Sequence, residues 1–240
     1  MNRQPLTRWG TRAVSLYDDS YAEQYREHDD ALHGRATAAR LDAWLRGVCD
    51  RFGRPVDVLD LGCGTGRYFH ALTNVRRLVG IDVSHPMLER ARRPIGGIPL
   101  PADLVTLIEG DFLVHEFGKG EFDFVYSIGV LAEHSPFDEA LASRVARWLR
   151  PGGRFAFTAV HPASPSVPRS LKRRAAEWIS TLAPSTTTLT GRLRARLMSG
   201  GMYADEERVR SVLRASGLAP ESIELFESDV HLQVIAVGRL

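Results

Sequence analysis

Hydrophobic and polar positions change period several times along this chain, and each change marks an element. YDDSYAEQYREHDDA is polar apart from Tyr17, Tyr21 and Tyr25, which fall at i, i+4 and i+8 on one face of a predicted helix. ATAARLDAWLRGVCDRF forms a more amphipathic helix, with Leu41, Trp44, Leu45 and Val48 together. A short apolar run from Val56 to Leu61 then ends at glycines and reads as a buried strand. RRLVGIDVS gives a second strand, after which Ser84 and Pro86 open a helix from Met87 to Arg93. LVTLIEGD and FDFVYSIGV are the third and fourth strands. Pro136 and Asp138 start a helix from Glu139 to Leu149, closed by Pro151, Gly152 and Gly153, and RFAFTAV is the fifth strand.

Order breaks after His161, where Pro162, Pro165 and Pro168 precede a basic helical segment and a loop, LAPSTTTLTG. DEERVRSVLRASG restores an amphipathic helix ending at Gly217, and SIELFES and LQVIAVGRL close the chain as strands. Strands alternating with helices, each strand apolar on both faces, predict an α/β domain with a doubly wound parallel sheet. Residues from about 162 to 204 read as an insertion in that domain rather than as a second one.

Composition changes this picture little. The 240 residues are 44% hydrophobic and 25% charged, ordinary for a globular domain, and a formal net charge of +2 does not imply nucleic-acid binding. Cys49 and Cys63 lack metal-type spacing and give no disulfide framework. The start, MNRQPLTRWG, has no apolar core of a signal peptide, and no apolar run approaches about 18 residues, so the expected location is cytoplasmic.

The chemistry concentrates in VLDLGCGTGRYF. Gly62, Gly64 and Gly66 stand where a strand must turn sharply into a helix and where a ligand can approach bare backbone. A dinucleotide fingerprint needs G-x-G-x-x-G, but Arg67 occupies the third glycine's place; a phosphate-binding P-loop needs a Lys-Ser/Thr pair that does not follow. Asp60, just before the turn, suits an ammonium-bearing ligand better than a pyrophosphate.

Taken in order, VLDLGCGTGRYF, LVGIDVSHPMLERAR, IEGDF, FDFVYSIGVLAEH and LRPGGRFAFT resemble the class I S-adenosylmethionine-dependent methyltransferases, over about Val56 to Thr158. The resemblance implies a mostly parallel seven-stranded sheet with helices on both faces and an antiparallel last strand. It divides the chain into an N-terminal helical lid, 1–50, and a cofactor-binding domain, 51–240. S-adenosyl-L-methionine would be the cofactor, S-adenosyl-L-homocysteine the product, and no metal is expected. Gly62, Cys63, Gly64 and Gly66 would pass beneath the amino-acid and ribose parts. Asp60 would hold the ammonium and Asp82 both ribose hydroxyls. Val83 and Met87 would pack on the adenine, with Asp111 at its exocyclic amine and Phe112 beside it. Ser127 and Ile128 would line the methionine moiety, and Tyr17 and Tyr25 would close over the cofactor from the lid.

Glu133 and His134 after the fourth strand, and His161 after the fifth, are the candidate general bases; His231 is a weaker one. The implied reaction is O-, N- or C-methylation of a small-molecule acceptor, with no nucleic acid or membrane as partner and either a monomer or a homodimer. A binding protein or cyclase without methyl transfer, and a macromolecule methyltransferase, are the alternatives. SIGVLAEH stands where an N/D-P-P-Y/F motif would direct amino methylation of adenine or glutamine. In the insertion, Arg169, Lys172, Arg173, Arg174, Arg192, Arg194 and Arg196 read either as a solvated face or as a basic cap favouring acidic acceptors.

Overall fold

A computed structural model describes residues 5–164, 203–226 and 231–238. Its seven strands are β1 (Val56–Leu61), β2 (Val75–Asp82), β3 (Val105–Glu109), β4 (Phe122–Ser127), β5 (Leu149–Val160), β6 (Leu218–Phe226) and β7 (His231–Gly238). They form one sheet in the order β3-β2-β1-β4-β5-β7-β6, with β7 antiparallel to both neighbours and every other pairing parallel. The helices are α1 (Arg8–Leu16), α2 (Asp19–Leu32), α3 (Ala36–Asp50), α4 (His85–Ala91), α5 (Glu139–Trp148) and α6 (Glu206–Ser216).

Every residue of β1 and β4 is buried, which is why neither shows a polar face in the sequence. Alternate side chains feed two cores. Leu59, Leu61, Val125, Phe155 and Phe157 meet Leu141, Val145 and Trp148 of α5 and Val209 and Leu213 of α6. On the opposite face Val58, Phe124, Tyr126 and Ala156 meet Leu45, Val48 and Cys49 of α3 and Leu88 and Ala91 of α4. The doubly wound prediction is thereby met.

Three local expectations change. Tyr17 does not share a helix with Tyr21 and Tyr25: it caps the end of α1, and Asp18 restarts the chain by accepting the Tyr21 amide at 2.9 Å. The glycine loop leads into a short 3-10 turn, Phe69–Ala71, and not into an α-helix. Pro151, Gly152 and Gly153 do not stop at closing α5, because β5 starts at Leu149 and runs through them. A Cβ on Gly153 would stand 2.9 Å from the Arg150 and Asp123 carbonyl oxygens, so the strands approach there too closely for any side chain.

Most of the predicted insertion, with its basic residues and its Ser/Thr loop, lies outside the described residues. No helix among the described residues is long and apolar enough to cross a membrane.

Candidate functional site

Parallel strands bring the loops after β1, β2 and β4 to one edge of the sheet. Register places Asp60 beside Gly80 on one side and Tyr126 on the other, and Asp82 beside Glu109. Between these loops and the faces of α1 and α2 lies a cavity of about 940 Å³.

Its floor is the glycine loop. Gly62 and Gly64 have φ of +75° and +51°, a region open to glycine. A Cβ on Gly62 would meet Val130 at 2.8 Å, whereas Gly64 has nothing within 4 Å above it, so its backbone is bare toward the cavity. The Gly64 amide donates to Asp82 Oδ2 and the Ser84 amide to Asp82 Oδ1, each at 2.9 Å. Burial pushes the Asp82 carboxyl up, and these amides pull it part of the way back. The Ser84, Gly64 and Val83 amides still leave the carboxylate acceptor capacity toward the cavity.

Asp60 is the most exceptional group. It is 3% exposed, and among the described residues no cation pairs with it. Burial and then the nearby Asp82 push it up to about 8, against the pull of the Tyr126 hydroxyl beside it. At the other end of the same strand, Asp57 accepts from Arg76 at 2.7 and 2.9 Å and from Arg150 at 2.8 Å. Partial burial raises Asp57, but those hydrogen bonds hold it down at about 2. Two aspartates of one buried strand thus sit in opposite electrostatic states.

The roof is aromatic. Trp9, Ala13 and Tyr17 of α1 and its cap continue into Tyr21 and Tyr25 of α2, and all line the cavity. Tyr17 and Tyr21 meet edge to face at 5.0 Å, Tyr21 and Tyr25 stack at 6.0 Å, and Tyr17 lies 5.8 Å from the His134 ring. Side-chain anchors hold this roof down. Thr65 Oγ1 donates to the buried Asp29 of α2 at 2.6 Å and Arg67 lies 3.3 Å from its other oxygen. The Ser84 hydroxyl donates to the Tyr17 carbonyl at 2.7 Å. At the N-terminus of α1, Thr7 donates to Asp111.

A second cavity, about 920 Å³, shares Arg67, Tyr68, Ile128 and Gly129 with the first. Leu32, Leu41, Leu131, Val160 and Phe226 make it largely apolar, and Glu133 is its carboxylate among the lining residues. Burial raises the Glu133 carboxyl, opposed by His134, whose Nε2 is 3.7 Å away.

Of the residues singled out in the sequence, Asp60, Gly62, Cys63, Gly64, Asp82, Val83, Met87, Asp111, Phe112, Ile128, Tyr17, Tyr25 and His134 all line the first cavity. Glu133 and His231 line the second. Gly66, Ser127 and His161 line neither. Gly66 makes room for Phe69 and Pro94; the fully buried Ser127 hydroxyl donates to the Leu61 carbonyl at 2.8 Å and ties β4 to β1; His161 Nδ1 accepts the Ala163 amide at 3.1 Å. Sequence reasoning missed Thr7, Trp9, Gly10, Ala13, Thr65, Arg67 and Tyr68. The signal for two of them was present, since Trp9 and Ala13 extend the four-residue spacing of the tyrosines backward.

Residues 58–153 match the model of a methyltransferase domain. Nocamycin O-methyltransferase of Saccharothrix syringae is 33% identical over 193 residues, 74% of this chain and 64% of that protein. Demethylmenaquinone methyltransferase of Symbiobacterium thermophilum is 32% identical over 143 residues, 57% of this chain and 55% of that protein. The chain thus spans less than two thirds of the length of these curated relatives. Magnesium protoporphyrin IX methyltransferase of Synechocystis, solved with bound S-adenosylhomocysteine, shares the fold at a TM-score of 0.62 and 19% identity, covering 96% of this chain and 99% of that one.

Proposed function

We propose that the chain is a class I S-adenosylmethionine-dependent methyltransferase that transfers the donor's methyl group to a small-molecule acceptor, a reading supported by the methyltransferase-domain match over residues 58–153 and by the methyltransferase relatives. The observation that carries this reading is Asp60, a buried carboxylate at a bare glycine loop, pushed up to about 8 without a cation beside it. An amino-acid ammonium supplies the missing charge. The remaining acceptor capacity of Asp82 suits a pair of vicinal hydroxyls, and Val83, Met87 and Phe112 offer an apolar slot for a base, with Asp111 at its edge.

When bound, S-adenosylmethionine supplies a methyl group already made electrophilic by its sulfonium. The chain's own work is then to bind, align and keep water out, contributions that reach roughly 7–11 kcal/mol for well-oriented reactants. Residues 1–50 act as the lid, with α1 and α2 forming the roof over the 51–240 domain. The acceptor occupies the second cavity, where the shared wall at Ile128 and Gly129 gives it access to the first. Glu133, raised by burial, takes the proton from an acceptor hydroxyl or ammonium, and His134 orients it. Relatives whose names specify small-molecule acceptors, nocamycin and demethylmenaquinone, support an acceptor of that size, as does the apolar lining. The reading keeps the enzyme in the cytoplasm, where the buried thiols of Cys49 and Cys63 stay reduced.

Calorimetric titration with S-adenosylmethionine and S-adenosylhomocysteine tests the binding, and product analysis with a labelled methyl donor separates a transferase from a binding protein. Failure of both ligands to bind more tightly than about millimolar would end the proposal.

A further inference from the structure

We infer that α1 is a latch on the carboxylate that recognises the donor's base, with Thr7 and Gly10 as positioning residues. The inference rests on the reading above, in which the first cavity holds S-adenosylmethionine with its adenine at Asp111.

A carboxylate offers about four acceptor positions. At Asp111 three are filled: Oδ2 accepts the Thr7 amide at 2.9 Å and the Thr7 hydroxyl at 2.6 Å, and Oδ1 accepts the Leu113 amide at 2.9 Å. One acceptor on Oδ1 remains, on a side chain 2% exposed at the cavity. A single acceptor with no donor matches the exocyclic N–H of an aminopurine and repels the carbonyl of a 6-oxopurine.

Thr7 holds this arrangement in one state. Its hydroxyl oxygen accepts the Gly10 amide at 3.1 Å as the N-cap of α1, so its one proton is directed to Asp111. The carboxylate in turn faces the positive end of the helix. Gly10 permits the approach, since a Cβ there would collide with Asp111 Oδ2. Its φ lies outside the left-handed region, and glycine weakens a helix, so proximity to Asp111 accounts for the residue where backbone freedom does not. At the far end of α1, the hydroxyl of Ser84 holds the Tyr17 carbonyl while the amide of Ser84 holds Asp82. Both ends of α1 are therefore tied to carboxylates assigned to the nucleoside. If α1 lifts, Asp111 loses two charge-assisted donors and the base loses both its oriented acceptor and its cover.

The test is titration of S-adenosylhomocysteine and its 6-oxo analogue, S-inosylhomocysteine, into wild type, T7V, T7S, G10A and G47A, each with its unliganded unfolding midpoint. T7V and G10A should weaken S-adenosylhomocysteine binding about tenfold or more, and T7V should narrow the preference over the 6-oxo analogue. T7S, which keeps both hydrogen bonds, should bind as wild type does. G47A, in α3 with open space around it, is the control for a helix glycine and should also bind normally. Wild-type affinity in T7V and G10A overturns the latch, even if their unliganded midpoints fall. If T7V fails to fold, G10A against G47A decides alone. A wild type that binds neither ligand overturns the reading of the cavity instead.

Discussion

Replacing Asp60 by Asn should make the protein more stable in alkaline solution while weakening its hold on the donor. The Asp60 carboxyl, with an ordinary value of 3.8, is pushed up to about 8 in the fold, chiefly by burial. A group raised in this way contributes most to stability below its unfolded value, and the contribution is lost as pH rises from about 4 through about 8. At about 1.4 kcal/mol for each tenfold change in proton affinity, ionising Asp60 without a partner costs roughly 6 kcal/mol. Even half of that, after relaxation, moves the unfolding midpoint of a chain this size by roughly 6–12 °C. Asn has nearly the same shape and no charge, so the D60N midpoint should match wild type near pH 4, pull ahead as pH rises, and exceed it by that margin at pH 8.5. Saturating S-adenosylhomocysteine should raise the wild-type midpoint at pH 8.5 by supplying the ammonium, and should do little for the variant. Differential scanning fluorimetry across pH 4–9 reads both effects. Parallel pH profiles for the two proteins would refute the claim that Asp60 is a buried carboxyl awaiting a cation.

Two further substitutions separate the roof from the base of the sheet. D29N removes the charge facing Arg67, whose side chain is 19% exposed, and weakens the anchor at Thr65. It should cost roughly 3 kcal/mol in urea unfolding and lower donor affinity through Tyr21 and Tyr25; an unchanged midpoint would count against the anchor. R150M should act elsewhere. Arg150 bridges Asp57 and Asp123, both held below the usual carboxylate range by their arginines against the effect of burial. For Asp57 that stabilisation is present above about 3.8 and lost as pH falls through about 2, and the lowered Asp123 carboxyl adds a loss of the same sign on the acid side. The variant should therefore unfold at higher pH on the acid side, with S-adenosylhomocysteine affinity intact. Loss of that affinity would contradict the separation of the two ends of the sheet.

The strands and the donor-binding edge were legible because they are local. Apolar runs ending in Gly62, Asp82, Asp111 and Ser127 carry their own turn chemistry, and a parallel sheet brings such ends together automatically. The contacts that close the site were not legible, since they join residues far apart in sequence. Thr7 reaches Asp111 across 104 positions and Asp29 reaches Thr65 across 36. A threonine and a glycine near the start of a polar segment carry no periodic signal of such a contact. The second cavity is drawn from α2, α3, β5 and β6, elements that no single motif spans.

The sharpest distinction lies within VDVLDL, where both aspartates interrupt a buried strand at equivalent-looking places. Sequence assigned a ligand to Asp60 because glycines follow it, an argument from neighbours along the chain. The structure supplies an independent one. Asp57 is answered from across the sheet by Arg76 and Arg150, so its charge belongs to folding. Asp60 faces Asp82 and a tyrosine hydroxyl, which leaves its charge costly until something outside the chain offsets it. A buried carboxylate is expensive and a neutral residue would fill the same volume. Retaining one here lowers stability at the point where the cavity opens, and the same cost makes Asp60 a strong binding group once an ammonium arrives.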